Sequence, residues 1–147
     1  MPDIDLSQEE ADNLISMAKH RANDETNYFP GRGGSLNIPL VSEDHQESFL
    51  LDIYRGRIDL SKIKFQNRSK QVVILLRLDL KGSPHRNPDD EEIACPHLHT
   101  YRKGYGTKWA TPIPSCFTNH IDSWQTLHEF MDYCNIIKPP NIQRGLE

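Results

Sequence analysis

The chain has 147 residues, of which 36% are hydrophobic and 26% charged, with a net charge of -4 and a mean hydropathy of -0.68. That length fits one domain with one core. The acidic balance argues against nonspecific adhesion to nucleic acid or anionic membranes, and no apolar run approaches the roughly 18 residues of a membrane-spanning helix. The amino-terminal Met-Pro-Asp-Ile-Asp lacks the basic-then-apolar order of a secretory leader, and Cys95, Cys116 and Cys134 are odd in number with no Cys-x-x-Cys pair. A soluble cytoplasmic protein with reduced thiols is expected, as a single domain over 1–147 whose residues 145–147 read as a disordered or vector-derived tail.

Ser7 and Glu10 have the spacing of a capping box, Leu6 and Ala11 that of a hydrophobic staple, and Ala11, Leu14, Ile15 and Ala18 recur at helical intervals. Together they predict a first helix from Gln8 to Arg21, with Lys19, His20 and Arg21 at the negative end of its dipole. Pro30-Gly31-Arg32-Gly33-Gly34 lacks the glycine-lysine signature, the preceding strand and the following helix of a phosphate loop, so phosphate binding is not expected there. Ile38 to Val41 and Ser48 to Arg55 read as strands, the second alternating Phe49, Leu51 and Ile53 against Leu50, Asp52 and Tyr54. Arg57 to Gln66 reads as a further strand broken at Ser61, and Asn67-Arg68-Ser69 as the next turn. Val72 to Leu80 carries the strongest strand pattern and is expected at the centre of the sheet, with Val72, Ile74, Leu76, Leu78 and Leu80 on one face. Val73, Leu75, Arg77 and Asp79 take the other face, whose charged end is expected to be open beneath the loop Gly82 to Glu92.

Ile93 to Trp109 concentrates the reactive side chains. A strand rises about 3.3 Å per residue and alternates its faces, so Cys95, His97, His99 and Tyr101 share one side while Leu98 turns to the core and the imidazoles turn outward. Tyr101 to Trp109 is predicted to turn at Gly104 and Gly106, and Ala110 to Pro114 to form an edge strand interrupted by Pro112. Asp122 with Gln125 caps a second helix bearing Trp124, Leu127, Phe130, Met131 and Cys134, which Pro139-Pro140 terminates. The predicted fold class is α+β, a mostly antiparallel sheet of four to six strands with an N-terminal and a C-terminal helix packed on one face.

The run from Leu76 to Ala110 contains Arg77-Leu78-Asp79, Gly82, His85, Asn87-Pro88-Asp89, Pro96-His97-Leu98-His99, Tyr101 and Gly104-Tyr105-Gly106 through Lys108-Trp109-Ala110. On these residues the chain resembles a family of small bacterial and prophage proteins of unknown function, and the resemblance implies no activity. The pattern has Gly after Asn-Pro-Asp, where this chain has Asp90.

Three kinds of chemistry fit. The first is metal-independent RNA cleavage without a cofactor, which needs a base for the 2′-hydroxyl, an acid for the leaving oxygen and cations for the developing phosphorane charge. His97 and His99 would be the acid and base, Arg77 and Lys103 the charge stabilisers, and Tyr101 a donor or stacking platform. His85, Arg102, Tyr105, Lys108 and Trp109 would bind the substrate, the aromatics stacking on bases of single-stranded RNA. From His97 to Trp109 there are three cations and no acid. The second is a zinc-type hydrolase, because histidines at i and i+2 lie about 6.6 Å apart on a strand and both reach one ion. Asp79, His85 or Asp89 would give the third ligand, with Asp79 the preferred partner of His97 and His99. Cys95, about 13 Å from His99 along an extended strand, joins them only through a bend at Pro96. The third is a non-catalytic phage or host regulatory protein that meets a protein or nucleic-acid partner through the Tyr/Arg/Trp cluster. Arg77 and Asp79 equally fit a same-face ion pair. A composite catalytic site requires Arg77, His85 and His99 to converge on one substrate.

Overall fold

The computed structural model describes residues 5–144, and the tail 145–147 lies outside the described residues. Its elements are, in chain order, α1 (Gln8–Ser16), β1 (Lys19–Arg21), β2 (Thr26–Tyr28), β3 (Ser35–Ser42), β4 (Ser48–Arg55), β5 (Ile63–Ser69) and β6 (Val73–Asp79). There follow β7 (His85–Arg86), β8 (Glu92–Ile93), β9 (His97–Thr100), β10 (Ala110–Pro112), α2 (Ser123–Tyr133), β11 (Ile136–Lys138) and β12 (Asn141–Gln143).

The capping box at Ser7 and Glu10 is formed in both directions, and α1 begins where the spacing predicts. The helix is shorter than expected. It stops at Ser16, and Lys19, His20 and Arg21 form a strand between β3 and β11 rather than a last helical turn. Lys19 is fully buried, and its ammonium donates to the carbonyls of Ile15, Met17 and Cys134 at 3.0, 3.0 and 2.7 Å. A cation therefore does satisfy the carbonyls around the end of α1, but it reaches them from a neighbouring strand.

The main sheet has eight strands in the order β10-β9-β6-β5-β4-β3-β1-β11, antiparallel throughout except for the β1–β11 pair, and is larger than the four to six strands expected. One core joins Leu14 of α1 and Phe130 of α2 to Phe49, Leu51, Phe65 and Leu78 of the sheet, with the Phe65 and Phe130 rings 5.9 Å apart. The pairs β2–β12 and β7–β8 are too short to show any alternation in sequence. Among the described residues no helix is long and apolar enough to cross a membrane.

Two strand boundaries differ from the sequence expectation. The chain loops from Gly56 to Lys62 before β5 begins, closed by a hydrogen bond from the Gly56 N–H to the Lys62 carbonyl. Asn67, Arg68 and Ser69 belong to β5 itself, and the hairpin turn falls on Lys70, Gln71 and Val72, the first two with left-handed φ values of 51° and 65°. Pairing accounts for part of the polar content of this strand: the Asn67 amide donates to the Leu50 carbonyl and Arg68 pairs with the buried Asp52, whereas the buried Asn67 Oδ1 and Ser69 Oγ have no hydrogen-bond partner.

A bulge sets the faces of β6. Asn67 pairs with Leu76 but Arg68 with Ile74, so Leu75 is the extra residue. Val73, Leu75, Leu76, Leu78 and Leu80 are consequently all in the core, whereas strict alternation had placed Val73 and Leu75 on the opposite face. The other face carries a polar row that runs from strand to strand through Asn37, Asp52, Gln66, Arg77 and His99, with Tyr54, Lys64, Asp79 and His97 beside it.

Candidate metal centre

Antiparallel pairing of β6 with β9 sets Arg77 opposite His99 and Asp79 opposite His97, while Leu78 and Leu98 pair on the core side. Alternation in both strands thus delivers four functional groups to one patch. The patch is not the open surface expected from sequence, because His97 and His99 are only 2% and 1% exposed. Loops cover them. The His85 ring lies 4.6 Å from that of His99 and 6.0 Å from that of His97. The Asn87 amide fixes this loop to the edge strand β10, donating to the Ala110 carbonyl at 2.9 Å and accepting from the Ala110 N–H at 2.8 Å. Asp90 has φ 73°, a left-handed conformation that suits the glycine of the Asn-Pro-Asp pattern.

Backbone carbonyls fix the imidazole protons. His97 Nδ1 is 3.0 Å from the Ile93 carbonyl and His99 Nδ1 is 2.8 Å from the Thr107 carbonyl; since a carbonyl only accepts, each Nδ1 carries the hydrogen. A neutral ring then presents a lone pair at Nε2. These two nitrogens lie 3.3 and 3.5 Å from Asp79 Oδ2. His99 Nε2 accepts from Arg77 Nη2 at 3.1 Å, but His97 Nε2 meets the carboxylate and, at 3.8 Å, the Cys95 thiol. Burial pushes the His97 pKa below its ordinary value and so favours the neutral ring. Burial acts to raise the Asp79 pKa, yet the charged Arg77 guanidinium beside it holds it below the usual carboxylate range. Asp79 is therefore an anion facing lone pairs.

Among the described residues, Asp79, His97 and His99 form the group whose possible ligand atoms lie within 4.8 Å of one another. Asp89 is elsewhere, accepting from the Glu91 N–H at the loop surface. Arg77 makes the same-face ion pair with Asp79, Nε to Oδ1 at 3.0 Å, and so lies within the cluster. His85 stands at its mouth, with Nε2 donating to the Lys108 carbonyl at 2.6 Å.

Tyr101 and Lys103 fall outside the cluster. The bulge opposite Tyr101, whose N–H donates to the Leu75 carbonyl, ends the alternation that would have aligned it with His99. Tyr101 is buried in the core, and its hydroxyl accepts from the Leu6 N–H at 2.9 Å, which makes it an anchor for the start of α1 rather than a stacking platform. Lys103 is exposed on the hairpin, and its backbone N–H donates to Gln8 Oε1 on the α1 side. The remaining candidates form a separate surface: the Arg102 guanidinium sits 4.2 Å over Trp109, whose ring meets Tyr105 at 5.8 Å, and Lys108 is exposed beside them. This surface is linked to the cluster through the carbonyls of Thr107 and Lys108. The Ile93 and Thr107 carbonyls are the parts of the site that no side-chain pattern reveals.

The chain belongs to a family of unknown function (DUF6978), whose model matches residues 6–136 and so includes every residue of the cluster. No curated protein and no solved structure matches it.

Proposed function

Starting from a family without an assigned activity, we propose that this chain binds a divalent cation of the zinc type through His97 Nε2, His99 Nε2 and Asp79 Oδ2. The observation that carries this reading is the meeting of His97 Nε2 with Asp79 Oδ2, two acceptors 3.3 Å apart in a buried site. A cation between them removes the conflict. Tetrahedral zinc holds nitrogen and oxygen ligands at about 2.0–2.1 Å, which separates such ligands by about 3.3–3.4 Å, close to the spacings found here. The carbonyls of Ile93 and Thr107 play the orienting part that metal-bound imidazoles require on their far side. When the ion binds, Arg77 retains Asp79 Oδ1 and gives up His99.

Such an ion would tie β6 to β9 and, through His99 and the Thr107 carbonyl, steady the loop that displays Arg102, Tyr105 and Trp109. That loop suits single-stranded RNA, whose bases stack on aromatic and guanidinium planes. The test of the metal reading is calorimetric titration of zinc into chelator-stripped protein. One ion per chain, with binding lost in His97→Ala, supports it; no heat in the unaltered protein contradicts it.

Metal-independent RNA cleavage is the second reading, favoured by the convergence of Arg77 and His85 on His99 at 3.1 and 4.6 Å. The burial of both proposed acid and base weighs against it, because each must come within hydrogen-bond reach of a substrate. Incubation of mixed RNA with purified protein in excess chelator distinguishes the readings. Cleavage by the unaltered protein but not by the His97→Ala, His99→Ala double variant would favour this mechanism, and cleavage that appears only when zinc is restored would favour a metal hydrolase.

A further inference from the structure

We propose that Cys95 supplies the fourth ligand of this centre, closing it as an Asp/His/His/Cys site; the inference rests on the metal reading above. The Cys95 sulfur lies 3.6 Å from His97 Nδ1 and 3.8 Å from His97 Nε2. With zinc–sulfur and zinc–nitrogen bonds of about 2.3 and 2.0–2.1 Å, tetrahedral geometry separates the two ligand atoms by about 3.5–3.6 Å; the near-equal distances put the sulfur beside the ring and outside the 4.8 Å group of Asp79, His97 and His99, so the thiol must swing inward to become a ligand. β9 starts at His97, so Cys95 lies before the strand and reaches back to the His97 ring instead of following the extended path that would carry it away from the cluster. Apart from His97, the hydrogen-bond partner of the sulfur is the Ser83 carbonyl at 3.9 Å, a weak contact that a rotation about the Cα–Cβ bond releases.

His97 is the reason the sulfur would turn inward. The ring is buried and its Nε2 lone pair faces Asp79 Oδ2 without a strong donor to fill it, with the Cys95 sulfur 3.8 Å away. On binding, the S–H bond breaks, the proton passes to buffer and the thiolate forms the bond to the metal. Four protein ligands leave no open position, and a zinc site of that kind is structural rather than hydrolytic. The ion would then fasten β6, β9 and the loop before Pro96 into one unit. Cys95 also lines a cavity of about 570 Å³ with Arg55, Leu60, Lys81, Pro96 and His120.

The experiment is cobalt(II) titration of chelator-stripped protein, followed by visible and near-ultraviolet absorption, for the unaltered chain and for Cys95→Ser. The expected result is tetrahedral cobalt bands with a thiolate-to-cobalt charge-transfer band in the unaltered protein. Cys95→Ser should lose the charge-transfer band and bind cobalt more than about tenfold more weakly. Tetrahedral bands without charge transfer in the unaltered protein would overturn Cys95 as a ligand and leave the three-residue centre standing. Charge transfer that persists in Cys95→Ser would overturn it too, by assigning the thiolate to another cysteine. Absence of cobalt uptake by the unaltered protein would overturn the metal reading itself.

Discussion

His97 Nε2 faces Asp79 Oδ2 across 3.3 Å because the single proton of the neutral ring is held by the Ile93 carbonyl at Nδ1. The carboxylate is thus part of the site and not only a partner for Arg77. Asp79→Asn should weaken zinc binding by at least about 10–100-fold, since it removes the charge and substitutes an amide at the ligand position. Competition with a chromophoric chelator measures this, and unchanged affinity would remove Asp79 from the centre.

In metal-free protein Asp79 should govern part of the acid stability. The Arg77 guanidinium holds the folded Asp79 pKa below the roughly 3.9 of an unfolded aspartate, so its contribution is fully present above about pH 4 and is lost as pH falls through the folded value. Urea unfolding midpoints across that range should fall more steeply for the unaltered protein than for Asp79→Asn; parallel curves would contradict the assignment.

Tyr101→Phe tests the structural role that replaces a catalytic one. The buried Leu6 N–H loses its acceptor, which should cost about 1–3 kcal/mol in denaturant unfolding, while zinc stoichiometry stays unchanged. Loss of zinc binding in a folded Tyr101→Phe protein would return Tyr101 to the site.

Asn87→Ala should unpin the covering loop. It leaves the Ala110 N–H and carbonyl without the amide that now pairs with both, at a cost of about 2–3 kcal/mol, and exposes the histidines. Amide exchange should accelerate at Ala110, and a protection pattern matching the unaltered protein would count against the clasp.

The alternation of Arg77 with Asp79 and of His97 with His99 was legible, because period two survives wherever β6 and β9 are regular. Their convergence was not, since it depends on pairing register. The bulge at Leu75 also lay beyond simple periodicity, and it moved Val73 and Leu75 into the core and took Tyr101 away from His99. The loop over the imidazoles is held by the Asn87 amide gripping Ala110, a contact that leaves no periodic trace. Likewise, Lys19 looked like a helix-end cation, and only the packing of β1 beside β11 shows why a buried lysine ends there on three carbonyls. Asn67 and Arg68 read as a turn because polar residues in a central strand are explained only by partners, here the Leu50 carbonyl and Asp52, that the sequence does not show.

Elemental analysis of untagged protein purified from zinc-supplied cells without chelator tests the central claim most directly, beside the His97→Ala, His99→Ala double variant. Close to one zinc per unaltered chain is expected, and none in a folded double variant. An unaltered protein that carries no metal and takes up none on dialysis against zinc, or a double variant that retains the full complement, would contradict it.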